Sequence, residues 1–206
     1  MFTGIVQGVA KIKSVQKHND IVRFGVVFPT GALAGVRQGA SISLNGCCLT
    51  VTGFTDREAT FDLVPETIAR TMFNLVGEGD IVNFERSLAF GDEVGGHVLS
   101  GHVDVVAELL SVESLDWSRV VTFKVPPAWT KYLFTKGYVA VQGASLTLTS
   151  VDKEKGVFTI SLIPETLAKT TFGEMCAGAH VNIEVDRTTQ VVVDTVERMM
   201  RDLKLT

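Results

Sequence analysis

Polar and apolar residues alternate along several short runs of this chain. Ser41-Ile42-Ser43-Leu44 does so, as do Cys48-Leu49-Thr50-Val51-Thr52 and Val157-Phe158-Thr159-Ile160-Ser161-Leu162. A period of two turns one side of each run to a core and the other to solvent, as a half-buried β-strand requires. Asn45-Gly46, between the first two runs, is a tight-hairpin sequence, because both residue types tolerate positive φ. Gln142-Gly143 holds the matching place later in the chain. Pro65 and Pro164 each follow a strand-like run and suit the first position of a helix; each short helix is expected to end before Asn74 or Gly173. From Thr188 to Leu203 the pattern changes. There is no Gly or Pro, and Val192, Val196, Met199 and Leu203 recur at steps of four, three and four. That is one apolar stripe on a helix, with Asp194, Glu197, Arg198, Arg201 and Asp202 on the other side. Such a helix packs on its own domain or on sister chains; an a/d-type seam in this place favours self-association.

The strand pattern is written twice. Asn45-Gly46-Cys47-Cys48-Leu49-Thr50-Val51-Thr52 matches Gln142-Gly143-Ala144-Ser145-Leu146-Thr147-Leu148-Thr149, an offset of 97 residues. Gly4-Ile5-Val6-Gln7-Gly8-Val9-Ala10 matches Gly101-His102-Val103-Asp104-Val105-Val106-Ala107 at the same offset. Pro65-Glu66-Thr67 matches Pro164-Glu165-Thr166, and Val82-Asn83-Phe84-Glu85 matches Val181-Asn182-Ile183-Glu184, both at 99. So long a period is a domain duplication and not a solenoid. Many short strands with regular turns predict a small closed barrel in each copy. The expected division is residues 1–95, residues 96–187 and a helical tail at 188–206.

Composition narrows the functional classes. The 206 residues are 46% hydrophobic and 20% charged, with a formal net charge of −4. That is a globular balance. There is no Lys/Arg run, so nucleic acid is not an expected partner. No stretch reaches the ~18–20 apolar residues of a membrane span. Met1-Phe2-Thr3-Gly4 does not open a signal peptide, which leads to the expectation of a cytoplasmic protein. Cys47, Cys48 and Cys176 form neither a disulfide framework nor a zinc spacing, so reduced thiols are expected.

Candidate chemistry concentrates where the copies match or differ. Gly95-Gly96-His97-Val98-Leu99-Ser100-Gly101-His102 sets two histidines among small residues that let a ligand approach the backbone. Their spacing is a poor metal motif, and a structural role for each is the plainer reading. His102 is favoured as functional because it replaces Ile5 of the first copy. Cys48 and Ser145 occupy equivalent places after the hairpin, although a buried cysteine is usually inert. Thr50 and Thr147, and Thr67 and Thr166, supply matched hydroxyls; singly, strand threonines mean little. Lys136 is aligned with Gln38, and Asp186 with Ser87, so both charges belong to the second copy alone, where solvated surface charge is the simple alternative. Together these residues predict two similar sites for the same or similar polar small molecules, the second better equipped for proton transfer.

The same motifs carry a resemblance. The opening Met-Phe-Thr-Gly-Ile-Val-Gln-Gly, the Asn45–Thr52 run, Gly95-Gly96-His97 with Ser100-Gly101-His102, and Ile163-Pro164-Glu165-Thr166-Leu167 resemble riboflavin synthase of the two-barrel type over about residues 1–200. The resemblance implies an all-β fold of two tandem six-stranded Greek-key barrels with a C-terminal helix that gathers a homotrimer. It implies exchange of a four-carbon unit between two molecules of 6,7-dimethyl-8-ribityllumazine, without cofactor or metal, in a site between neighbouring subunits. It makes lumazine synthase a partner worth testing. By the same resemblance His102, Ser145, Thr147, Lys136 and Asp186 fall on the second-barrel side. Ser41, Cys48, Thr50, Asp62 and Thr67 fall on the first, with Phe2 and Gly4 near the junction. His102, Ser145, Thr147, Lys136, Asp186 and Cys48 are the catalytic candidates. Val6, Val64, Gly101, Val103, Ile163 and Thr166 join the substrate-binding set. One position departs: the family turn carries Asp-Gly where this chain has Gln142-Gly143, and Gln can be neither base nor counter-charge. The alternative within the same fold is a non-catalytic lumazine- or flavin-binding antenna protein.

Overall fold

The computed structural model describes residues 1–204. β1 (Gly8–His18), β2 (Ile21–Val27), β3 (Ser41–Leu44), β4 (Cys47–Phe54), β5 (Glu58–Leu63) and β6 (Ile81–Arg86) close an antiparallel barrel in the order β1-β2-β5-β4-β3-β6. β7 (Val105–Ser114), β8 (Arg119–Lys124), β9 (Tyr138–Val141), β10 (Ala144–Asp152), β11 (Val157–Leu162) and β12 (His180–Val185) close a second with the same topology. Alternation decides which side faces in: β5 reads half-buried, buried, half-buried, buried along its length. Phe24, Val26, Phe61 and Phe84 fill the first barrel, and Val121, Phe123, Phe158 and Ile160 the second. Each barrel bends at bulges in equivalent places, between Ile12 and Ser14 and between Leu109 and Ser111, which supply the curvature that closure needs. The hairpin turns form as the sequence suggests. Asn45 and Gly46 have φ of 44° and 81°, and Gln142 and Gly143 have 48° and 81°.

α1 (Pro65–Arg70) and α2 (Pro164–Lys169) begin at their prolines and end sooner than expected. The Thr71 and Thr170 hydroxyls donate back to the carbonyls of Thr67 and Thr166, 2.6 Å in each case, and accept from the N–H of Phe73 and Phe172. A hydroxyl that competes for backbone groups stops the helix and starts a 3-10 turn. α3 (Arg187–Lys204) follows β12 directly, capped by Asp186, which accepts from the Thr189 N–H and hydroxyl. It rests on its own barrel through Val193, and Asp194 and Glu197 take Lys131 at 3.0 and 2.7 Å. Val192, Val196, Met199 and Leu203 are exposed. Among the described residues no helix is long and apolar enough to cross a membrane.

The two barrels meet back to back at their hairpin turns. A Cβ on Gly46 would lie 2.8 Å from the Gly143 backbone N, and the converse distance is also 2.8 Å. Around this contact runs a buried polar network. Asn83 in β6 donates to the Gln142 carbonyl and accepts from the Thr171 N–H; Asn182 in β12 donates to the Asn45 carbonyl and accepts from the Met72 N–H. The Asn45 and Gln142 side chains close it by accepting from the Asn83 and Asn182 N–H groups.

Candidate functional site

Two arms cross between the barrels. The first precedes β1 and the second precedes β7. Phe2 pairs with Leu99, so the arms run against each other. Glu85 holds the first arm, taking the Thr3 N–H and hydroxyl at 2.7 and 2.8 Å and the Gly4 N–H at 3.0 Å. Glu184 holds the second in the same way through Ser100 and Gly101. Beyond these anchors each arm crosses over. The Gly4 carbonyl accepts from the Ser145 N–H, 2.8 Å, in the second barrel, and Val6 packs on that barrel's core. The Gly101 carbonyl accepts from the Cys48 N–H, 2.8 Å, in the first barrel, and Val103 packs on that core. Both positions need glycine: φ is 75° and 78°, and an added Cβ would lie 2.5 Å from the Ser145 Cβ or 2.6 Å from the Cys48 Cβ.

In the second barrel the crossing arm, β10 and α2 enclose a cleft of about 430 Å³. Gly4, Ile5, Val6, Ser145, Ile163 and Thr166 are among the residues that line it. The volume suits a small heterocyclic ligand. Repeat equivalence gives the first barrel a matching set: Gly101, His102, Val103, Cys48, Val64 and Thr67. Gly4, Val6, Ser145, Ile163 and Thr166 thus have the repeat equivalents Gly101, Val103, Cys48, Val64 and Thr67, whereas Thr147 and Lys136 are not among the residues that line the cleft. Thr50 and Thr147 continue the Cys48 and Ser145 face two residues along their strands and are exposed, with Ser41 opposite Thr50. Phe2 is buried against Leu99, Ala140 and the Cys48 side chain.

Two assignments change. His102 was expected on the second-barrel side, but the crossing of the arms puts it between Gly101 and Val103, both of which contact the first barrel. Ile5, its equivalent, lines the second-barrel cleft. Lys136 was aligned with Gln38, whereas its structural counterpart is Gly39. The N–H groups of Lys136 and Gly39 bond the Leu148 and Val51 carbonyls, and the two residues have φ of 70° and 85°.

Other predicted residues have partners of their own. Asp62 forms a two-pronged ion pair with Arg23, 2.7 and 2.8 Å, and that bond holds its carboxyl below the usual range. Burial pushes the Asp186 carboxyl up, but the Thr189 hydroxyl and N–H overcome this and keep it below the ordinary value. Burial, with Cys48 and Glu184 nearby, pushes the Cys47 thiol up to about 12, so it is an inert core group. Gln142 is buried in the seam between barrels and bonds Asn182. Its departure from the family Asp therefore lies in the inter-barrel contact and not among the residues lining the cleft.

His97 was passed over in favour of His102. Its Nδ1 lies 2.6 Å from the Ser145 Oγ, and its ring stacks on Tyr138 at 5.1 Å. Nε2 is buried and has no hydrogen-bond partner among the described residues. Burial lowers its pKa, with Asp186 acting in the opposite direction, so the ring favours the neutral form. Glu85, Glu184, Asn83 and Asn182 were also missed. Their signal was present, since the Val-Asn-x-Glu motif repeats with both polar residues kept inside strand patterns that otherwise bury apolar side chains.

Tandem six-stranded barrels whose arms cross, with a cleft at the second barrel and an equivalent residue set at the first, define a class of duplicated small-molecule-binding barrel. Residues 3–87 and 100–186 each match the lumazine binding domain. Riboflavin synthase of Escherichia coli (strain K12) is 44% identical over 201 residues, covering 97% of this chain and 93% of its own. Riboflavin synthase of Buchnera aphidicola subsp. Schizaphis graminum is 41% identical over 202 residues, covering 98% and 96%. A solved structure of LumP complexed with riboflavin superposes with a TM-score of 0.84 at 28% identity, over 91% of this chain and 100% of that one. The chain belongs to the lumazine-binding-domain family and, within it, to the enzymes of the riboflavin synthase type.

Proposed function

We propose that this chain converts two molecules of 6,7-dimethyl-8-ribityllumazine into riboflavin and 5-amino-6-ribitylaminouracil by transfer of a four-carbon unit. The observation that carries this reading is the pair of equivalent residue sets, one at each barrel. Donor and acceptor are the same compound, so duplicating one site supplies both. Holding two rings in register accounts for a large share of catalysis, since well-oriented pairs gain ~7–11 kcal/mol. The rest is proton transfer at the 7-methyl group and stabilisation of the resulting anion. Ser145 with His97 behind it, Asp186, Lys136 and Thr147 serve the second-barrel site; Cys48, Thr50 and His102 serve the first.

The complete active site lies between the first barrel of one subunit and the second barrel of a neighbour in a homotrimer. The exposed stripe Val192, Val196, Met199 and Leu203 on α3 supports this assembly. Three free cysteines suit a reducing cytoplasm. Incubation with the lumazine alone, in EDTA, should release riboflavin and the uracil in equal amounts. Binding without turnover would leave the alternative of a non-catalytic flavin-binding antenna protein, a reading that the likeness to LumP complexed with riboflavin supports as far as binding goes. Loss of turnover in EDTA, restored by a metal, would overturn the cofactor-free reaction. Co-purification with lumazine synthase tests the remaining partner.

A further inference from the structure

Each barrel's central asparagine touches the other barrel at two points, and those of Asn83 adjoin the walls of the second-barrel cleft. Asn83 belongs to the first barrel. Its Nδ2 donates to the Gln142 carbonyl, 3.0 Å, in the turn that leads into Ala144 and Ser145. Its Oδ1 accepts from the Thr171 N–H, 2.8 Å, at the residue after Thr170. Ala144, Ser145, Thr166, Lys169 and Thr170 all line the second-barrel cleft. One buried carboxamide thus ties the strand wall of that cleft to its helix wall. Asn182 repeats the arrangement, bonding the Asn45 carbonyl before Cys47-Cys48 at 2.9 Å and the Met72 N–H after Thr71 at 2.8 Å. Both side chains are about 99% buried, and in each the donor meets a carbonyl and the acceptor meets an N–H, which fixes the amide orientation.

We propose that Asn83 and Asn182 are crosswise positioning residues: each sets the width of the ligand cleft in the barrel to which it does not belong. The alternative, a seam that merely glues the barrels together, predicts equal effects on both sites. A buried carboxamide with both ends paired has one well-defined geometry, and leaving the backbone groups it serves unpaired is costly. The walls would then relax apart or together. The inference rests on the reading that both barrels bind the ribityl-bearing ring, and its test separates the two.

The test uses the full chain and riboflavin as the probe. Thr67→Trp fills the first-barrel site and Thr166→Trp the second, leaving one site for titration in each case. With only the second site open, Asn83→Leu should weaken riboflavin binding roughly 5- to 100-fold, while Asn182→Leu stays within about twofold of the parent. With only the first site open the order should reverse. Far-ultraviolet circular dichroism confirms folding. If a leucine variant does not fold, Thr171→Pro removes the N–H that Asn83 accepts without changing Asn83. Thr170, at φ −127° and ψ 169°, already has the extended backbone that a following proline requires. Thr171→Pro should weaken the second site alone, and Met72→Pro the first alone. Equal losses at both sites, or a loss confined to each asparagine's own barrel, overturn the proposal. Failure of both tryptophan variants to bind riboflavin at all overturns the two-site reading instead.

Discussion

His97 and Ser145, 48 residues apart in sequence, meet at 2.6 Å between Nδ1 and Oγ. A neutral imidazole there either accepts the serine proton or donates to its oxygen, so it decides which way the hydroxyl faces a ligand. His97→Phe keeps a ring against Tyr138 and removes the contact. Turnover should fall roughly 10- to 100-fold, the scale of a misplaced catalytic contact, while riboflavin affinity changes less. Single-turnover kinetics beside equilibrium titration measures the split; an unchanged rate would leave Ser145 independent of His97.

The same residue makes a pH prediction. Burial lowers the folded pKa of His97 below its unfolded value of about 6.5. Above that value both states are neutral and the group contributes no pH dependence. As pH falls below it, the unfolded chain binds a proton that the folded chain resists, and stability is lost until the folded pKa is passed. The drop in Tm from pH 7.5 to 5.5 should be smaller in His97→Phe than in the parent. An equal drop would assign the acid sensitivity to other groups.

Lys136 occupies a left-handed position, φ 70°, that the first repeat gives to Gly39. Replacing it with glycine should relieve strain and raise stability by about 0.5–1 kcal/mol in urea unfolding. Turnover should nevertheless fall if the lysine serves the second-barrel site. A stabilised and fully active variant would reduce Lys136 to a surface charge.

Gly46→Ala combines a forbidden φ with a Cβ 2.8 Å from the Gly143 backbone. A loss of about 3 kcal/mol or more is expected, because no flexible side chain can move aside. Denaturant unfolding gives the value, and a loss below about 1 kcal/mol would show that the barrels can separate without penalty.

Removing residues 188–206 keeps Arg187, which holds the second arm through Asp104 and the His102 carbonyl, and so leaves both barrels in place. It deletes Val192, Val196, Met199 and Leu203, so sedimentation should show monomers, with turnover largely lost and riboflavin binding largely kept. A truncated chain that sediments like the full one would place assembly elsewhere.

Much of the fold was legible because two signals reinforced one another. Alternation marked strands such as Val157–Leu162, and duplication then turned a doubtful run into a paired one. Asn45-Gly46 announced its turn because Asn and Gly tolerate those φ values, and Gln142-Gly143 was legible through its matching place in the repeat, since Gln has no such preference. The helix ends at Arg70 and Lys169 were less legible: a threonine hydroxyl bonding back four residues looks the same in sequence as one facing solvent. The candidate site was legible by residue type and misread by side. His102 and Ile5 were compared as though each served its own barrel, and nothing in a linear repeat tells whether two flanking arms stay or cross. Lys136 was misaligned by one residue because φ, and not side-chain type, is what it shares with Gly39. His97 escaped because its partner lies 48 residues and three strands further along the chain, where only tertiary structure brings them together.

The crossing of the arms makes this chain a swapped dimer written as one polypeptide. Residues 1–95 alone lack Gly101 and Val103, which contact the first barrel. A lone half therefore has an open site, and a second copy can close it only by lending its own Gly4 and Val6. Ligand binding by that fragment should rise with protein concentration and track dimer formation. In the full chain the connection makes the same exchange intramolecular and independent of concentration. It also removes the demand that the two halves be identical, and Ile5 and His102 on the arms, with Ser145 and Cys48 on the strands they meet, differ at the positions where such freedom would first be used.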